Sequence, residues 1–95
     1  MAAYMIFDVS VTDPEQYGKY VEQALPTLEQ YGAKILAYHD NPEVIEGDWA
    51  PKRIAVIEFR DEATAKEWYY SSPYQTAKQL RATAGIAKGI LAPGM

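Results

Sequence analysis

The sequence contains no cysteine and a single histidine, His39. Without thiols there is no disulfide framework, no thiolate nucleophile and no sulfur-containing metal site, and one imidazole leaves a metal ion only oxygen ligands. Calcium-loop spacing, a glycine-rich phosphate loop and a Ser-centred nucleophile elbow are missing as well, so no metal and no cofactor is expected. Positive charge is scarce: nine Lys and Arg face thirteen Asp and Glu, for a net charge of −4. The basic residues are scattered along the chain, which disfavours a phosphate-tracking surface and with it nucleic acid as a partner. Long apolar runs are absent too. The opening MAAYMIFDVSVTD has no basic segment, and Asp8 interrupts its apolar run, so neither a secretory signal nor a membrane span is expected. With the lack of cysteine, this reads as a cytoplasmic protein. The six prolines and six glycines are spread along the chain, with no linker or internal repeat, and the 95 residues read as one domain, 1–95.

What is present is alternation, capping signals and aromatic side chains. Residues 3–11 place Met5, Phe7, Val9 and Val11 on one side and Tyr4, Ile6, Asp8 and Ser10 on the other, a strand with one fully apolar face. Asp13-Pro14-Glu15-Gln16 supplies an N-cap, a proline at the first helical position and a Gln at the third. The helix it opens carries Tyr17, Tyr20, Val21, Ala24, Leu28 and Tyr31 at helical spacing and is closed by Gly32, with a kink or break expected at Pro26. A second strand is read over 33–39, then a short extended piece over 43–46 and a hairpin connection over 47–51. Residues 52–60, KRIAVIEFR, form the clearest strand, apolar on both faces at its centre. Asp61 caps a helix with Ala65, Trp68 and Tyr69. Ser72-Pro73-Tyr74-Gln75 then repeats the capping pattern, with Ser72 as the cap, for a helix through Leu80 and Arg81, and 85–91 reads as the last strand.

The order β-α-β-β-α-β is the ferredoxin-like arrangement of the α+β class, a four-stranded antiparallel sheet with its helices on one face. Strands apolar on both sides demand cover on both, and the simplest cover for the open face is a second copy. A homodimer closed into a dimeric α/β barrel is therefore expected.

The segments VTDPEQYGKY, VIEGDW with Pro51 and Arg53, VIEFRDEATAKEWYYSSPYQ and the following Arg81 together resemble the family known as domain of unknown function 1330, within the dimeric α/β barrel superfamily. The resemblance covers most of the chain and implies the fold and the dimer. It implies no activity, although the wider superfamily includes cofactor-free oxygenases and small isomerases. His39-Asp40-Asn41-Pro42, and Arg60-Asp61 in place of Pro-Ser, depart from the family's usual pattern.

Among chemical groups, Glu58 shares a central strand face with Ile54 and Val56. It reads either as a general base with a desolvated carboxyl or as the partner of Arg53, Arg60 or Arg81 in an ion pair. His39 is the one side chain whose ordinary pKa suits proton transfer near neutrality, with Asp8 the better-placed partner than Asp40; its plain alternative is a solvated loop histidine. Trp49, Arg53, Trp68, Tyr74 and Arg81 are the candidate ligand-binding residues. Trp49 either covers a partner or a helix edge or acts as a lid, and most of the aromatic residues are expected to be packing. The first reading is a homodimer that binds or transforms a small apolar or aromatic metabolite without a cofactor. The alternative is a non-enzymatic binding or interaction module.

Overall fold

The computed structural model describes all residues, 1–95. Its elements run β1 (Ala3–Val11), α1 (Pro14–Gln30), β2 (Lys34–Asp40), β3 (Arg53–Phe59), α2 (Glu62–Tyr69), α3 (Ser72–Ala82) and β4 (Gly85–Pro93). The strands form one antiparallel sheet in the order β2-β3-β1-β4, the ferredoxin-like topology expected from the element order. The second helical segment is divided into α2 and α3, with Tyr70 and Ser71 between them.

Caps account for where the helices start. Asp13 accepts the backbone N–H of Gln16 at 3.2 Å, and Asp61 accepts that of Thr64 at 2.7 Å. The cap of α3 is Ser71, one residue earlier than the expected Ser72: its hydroxyl accepts the Tyr74 N–H, and Pro73 sits in the first turn where no donor is needed. At the end of α1, Gly32 adopts φ +67°, and the Gly32 and Ala33 amides return to the Glu29 and Leu28 carbonyls, a Schellman closure that only a residue without a Cβ adopts cheaply.

Two expectations need correcting. Helix α1 runs unbroken through Pro26. Pro26 faces solvent while its neighbours Thr27 and Leu28 are buried, so packing of the inward face holds the helix across the missing hydrogen bond. No strand forms over 43–46; residues 41–52 are a loop without regular structure, held at its ends by the Asn41 amide to the Lys52 carbonyl.

The core lies between helices and sheet. Met5, Phe7 and Val9 of β1 and Ile57 and Phe59 of β3 meet Tyr20, Ala24 and Leu28 of α1 and Trp68, Tyr74 and Ala77 of α2 and α3. Trp68 is its centre, stacked 4.0 Å from the Tyr74 ring and 5.3 Å from Phe59. Its indole N–H donates to the Thr27 hydroxyl at 2.9 Å, which donates in turn to the Ala24 carbonyl at 2.6 Å. A buried polar residue in a helix is thereby satisfied. The other sheet face carries Ile54, Val56, Ile6, Ile86 and Ile90 and has no layer over it; Ile86 and Ile90 are exposed.

Candidate functional site

The helix layer covers the middle of the sheet and leaves a hollow under each flank. The first, about 360 Å³, lies between α1 and the β2 side of the sheet. Tyr17, Tyr20 and Leu25 wall it from the helix, and Ile35, Tyr38 and Ala55 from the strands; Arg81 is its sole lining residue that is not hydrophobic. The second, about 460 Å³, lies between the α2–α3 pair and β4, with Lys66, Tyr69, Lys78 and Arg81 above Phe7 and Leu91. Arg81 and Phe7 line both hollows and separate them, the guanidinium lying 5.5 Å over the Phe7 ring.

Arg81 comes from the last turn of α3 and is 7% exposed. A guanidinium at that depth is ordinarily paired with a carboxylate. Here Nη1 donates to the Tyr74 hydroxyl at 2.9 Å and the Tyr20 hydroxyl at 3.4 Å, those two hydroxyls are 2.9 Å apart, and the charge also rests 5.4 Å over the Tyr20 ring. No acidic side chain touches it. Nε and Nη2 keep their N–H groups unengaged, and no buried side-chain donor in the molecule is left unsatisfied, so these donors reach the hollows. Burial, reinforced by neighbouring Tyr20, pushes the Tyr74 phenol above its ordinary range. Burial together with Tyr38 and Tyr20 does the same to Tyr17. The phenols therefore stay protonated. The arrangement can hold an apolar body and fix an oxygen atom on it, while neither a carboxylate nor an imidazole lines the first hollow.

Arg53 serves the same hollow from its β2 end. Its guanidinium forms a fork with Asp40, with Nη2 to Oδ2 at 3.0 Å, donates to the Tyr38 hydroxyl at 3.2 Å, and lies 5.3 and 5.4 Å over the Tyr17 and Tyr38 rings. The hydrogen bond from Arg53 holds the Asp40 carboxyl below the usual carboxylate range.

Of the sequence-predicted residues, Trp68, Tyr74 and Arg81 come together. Trp68 and Tyr74 are sealed in the core and line neither hollow, so they position Arg81 and the Phe7 wall and would not touch a ligand. Arg53 lies apart, and Trp49, 59% exposed, projects from the 41–52 loop. Glu58, Asp8 and His39 lie on the open sheet face, opposite both hollows. Glu58 has no arginine partner: register sets it across from Tyr4, whose hydroxyl donates to it at 3.3 Å, while Arg53 faces the helices with Asp40 and Arg60 reaches Asp61. Asp8 and His39 flank Ile54 from opposite strands, and the Asp8 carboxylate accepts the Lys52 backbone N–H at 3.0 Å, so the two do not form a couple. Sequence reading placed Tyr20 in the core stripe without its hydroxyl pairing, which spans 54 residues. Lys66 and Lys78 carried no signal at all.

No group of three or more His, Asp or Glu stands close enough to hold a metal ion, and no helix is long and apolar enough to cross a membrane. Among solved structures, a protein of unknown function from Rhodopseudomonas palustris superposes with TM-score 0.79 at 18% identity, over 99% of this chain and 82% of that one. A dimeric ferredoxin-like protein of unknown function from Jannaschia sp. superposes with TM-score 0.67 at 11% identity, over 96% and 97%. SnoaB, a cofactor-independent oxygenase from Streptomyces nogalater, does so with TM-score 0.67 at 11% identity, over 95% and 89%. At such identities the likeness is one of fold, and no curated protein matches the sequence. The family described as domain of unknown function DUF1330 matches residues 2–95, and the chain belongs to it.

Proposed function

We propose that the protein binds a small apolar or aromatic molecule in the hollow under α1, without a cofactor, and that Arg81 fixes an oxygen atom of that molecule. The observation that carries this reading is a buried guanidinium without a carboxylate, facing a cavity whose other lining residues are all hydrophobic. Pockets of this kind, mostly apolar with few polar anchors, are the usual form of small-molecule sites. The fold likeness to a cofactor-independent oxygenase is compatible with transformation of the ligand. The absence of any base among the lining residues favours binding over proton abstraction at this hollow. Glu58 would act as a base only on the open sheet face, and equal ligand turnover by Glu58→Gln would remove it from consideration.

The open face supports a homodimer as well. Ile6, Ile54, Val56 and Ile90 form an apolar band there, and the Jannaschia relative is dimeric. Trp49 and the 86% exposed Ile45 project from the loop whose end is tied to this face by the Lys52 N–H and Asp8. Trp49→Ala should lower the dimer mass seen by light scattering at micromolar concentration if the indole covers the partner, and leave it unchanged if the indole serves as a lid.

The binding proposal is tested by calorimetry with 1-naphthol, a planar ring with one oxygen. Binding should weaken at least fivefold in Arg81→Gln and vanish in Ala55→Phe, which fills the hollow. Unchanged affinity in both variants, with folding intact by circular dichroism, would overturn it.

A further inference from the structure

The second hollow is chemically unlike the first. The chain carries thirteen acidic residues against nine Lys and Arg. Yet Lys66, Lys78 and Arg81 converge on this cavity and no Asp or Glu lines it. Arg81 is held by phenols, and Lys78 places its ammonium 5.0 Å over the Tyr69 ring instead of near a carboxylate. Lys66 meets Glu62 at 3.2 Å along the exposed side of α2, outside the lining. Lys78 and Arg81 thus reach the cavity without a carboxylate of their own, and a bound anion would supply one.

The floor explains why there is room. On the helix-facing side of β4 the residues across from Val9 and Phe7 are Ala87 and Gly89. A Cβ at Gly89 would lie 2.7 Å from the Phe7 ring, so glycine lets that ring lie flat against the strand as a wall. Met5, Leu91 and Ala87 complete an apolar base beneath the cationic roof.

We propose that this hollow binds a small organic acid, its carboxylate held by Lys66, Lys78 and Arg81 and its apolar body lying on Phe7, Met5 and Leu91. The apolar base distinguishes this ligand class from inorganic phosphate, which would need only the charges. The site is distinct from the one under α1; Arg81 and Phe7 are common to both, so the test uses the two lysines, which lie outside the first hollow.

The experiment follows binding of 4-phenylbutyrate, 4-phenylbutan-1-ol and inorganic phosphate by calorimetry and by amide shifts in nuclear magnetic resonance. The acid should bind at least tenfold more tightly than the alcohol and move the amides of Lys78, Ala87 and Gly89. In the double variant Lys66→Met with Lys78→Met, the acid should lose at least tenfold and 1-naphthol should be unaffected. Equal affinity for acid and alcohol, an unchanged acid affinity in the double variant, or phosphate competing as well as the acid would each overturn the assignment. Shifts confined to Ala24 and Ala55 would overturn it while leaving the reading of the first hollow standing.

Discussion

Two hollows lie beneath the same helices and over the same sheet, and their chemistries are opposite. Under α1, strand and helix both contribute large apolar side chains, Ile35, Tyr38, Leu25 and Leu28 among them, and one cation enters from α3. Under α2 and α3, the strand contributes Ala87 and Gly89 and the helices contribute lysines. The backbone frame is shared, so the difference comes from side-chain size on the outer strands and from what the helices hang over them. Phe7 and Arg81 keep the two apart, and each sits where a single substitution tests the separation.

The largest effect is expected from Phe7→Ala. It removes a buried ring that meets Trp68 edge-on at 6.5 Å and lines both cavities. Truncation should cost about 3–5 kcal/mol by urea denaturation. It should also join the hollows, so that acid and neutral aromatic probes compete where they bound independently. Arg81→Met comes next. It keeps the aliphatic stem but deletes the charge, leaving the Tyr20 and Tyr74 hydroxyls with each other as partners, so the stability loss should be about 1–3 kcal/mol. Affinity for probes of both hollows should fall together. A loss confined to one probe would show that Arg81 belongs to one cavity alone.

Much of this frame was legible in the sequence, and the reason is local. Period-two alternation marked β1 and β3, and Asp13, Asp61 and Gly32 acted through neighbours within a few positions. Even Ser71 for Ser72 is a shift of one residue between two equally competent hydroxyls. Pro26 does not break α1, because propensity speaks for an isolated helix, whereas Thr27 and Leu28 are held by the core. The hollows were illegible because they depend on register between distant strands: Phe7 lies over Gly89 and Tyr4 opposite Glu58 only after folding. The same holds for Arg81. A sequence suggests a carboxylate for a buried arginine, and nothing local announces two phenols instead.

Those phenols give a titration that separates the core from both cavities. With its folded pKa raised above the ordinary 10 by burial, Tyr74 stays protonated when the unfolded chain has already ionised. The stability this group allows is thus fully present below pH 10 and is lost as pH rises above it, by at most about 1.4 kcal/mol per pH unit for one such group. Tyr74→Phe should cost about 1 kcal/mol at neutral pH through its lost hydrogen bonds and flatten the alkaline decline. An unchanged alkaline slope would mean that the group titrating there is Tyr17.

The smallest effect should come from the far end of the first hollow. Asp40 is exposed, but its hydrogen bonds hold Arg53 over the Tyr17 and Tyr38 rings that line the cavity. Because Arg53 lowers its folded pKa below the ordinary 3.8, Asp40 contributes stability above that value and loses the contribution as pH falls through the lower folded one. Asp40→Asn should therefore be slightly less stable than the parent at pH 7, and the gap should close as the solution is acidified below pH 4. Freed from its fork, Arg53 should let Tyr38 move, which raises the dissociation rate of 1-naphthol from the first hollow. The acid in the second hollow, across the Phe7 wall, should keep its rate. A change in both rates would mean that the two cavities are coupled through the sheet instead of being walled off by one ring and one guanidinium.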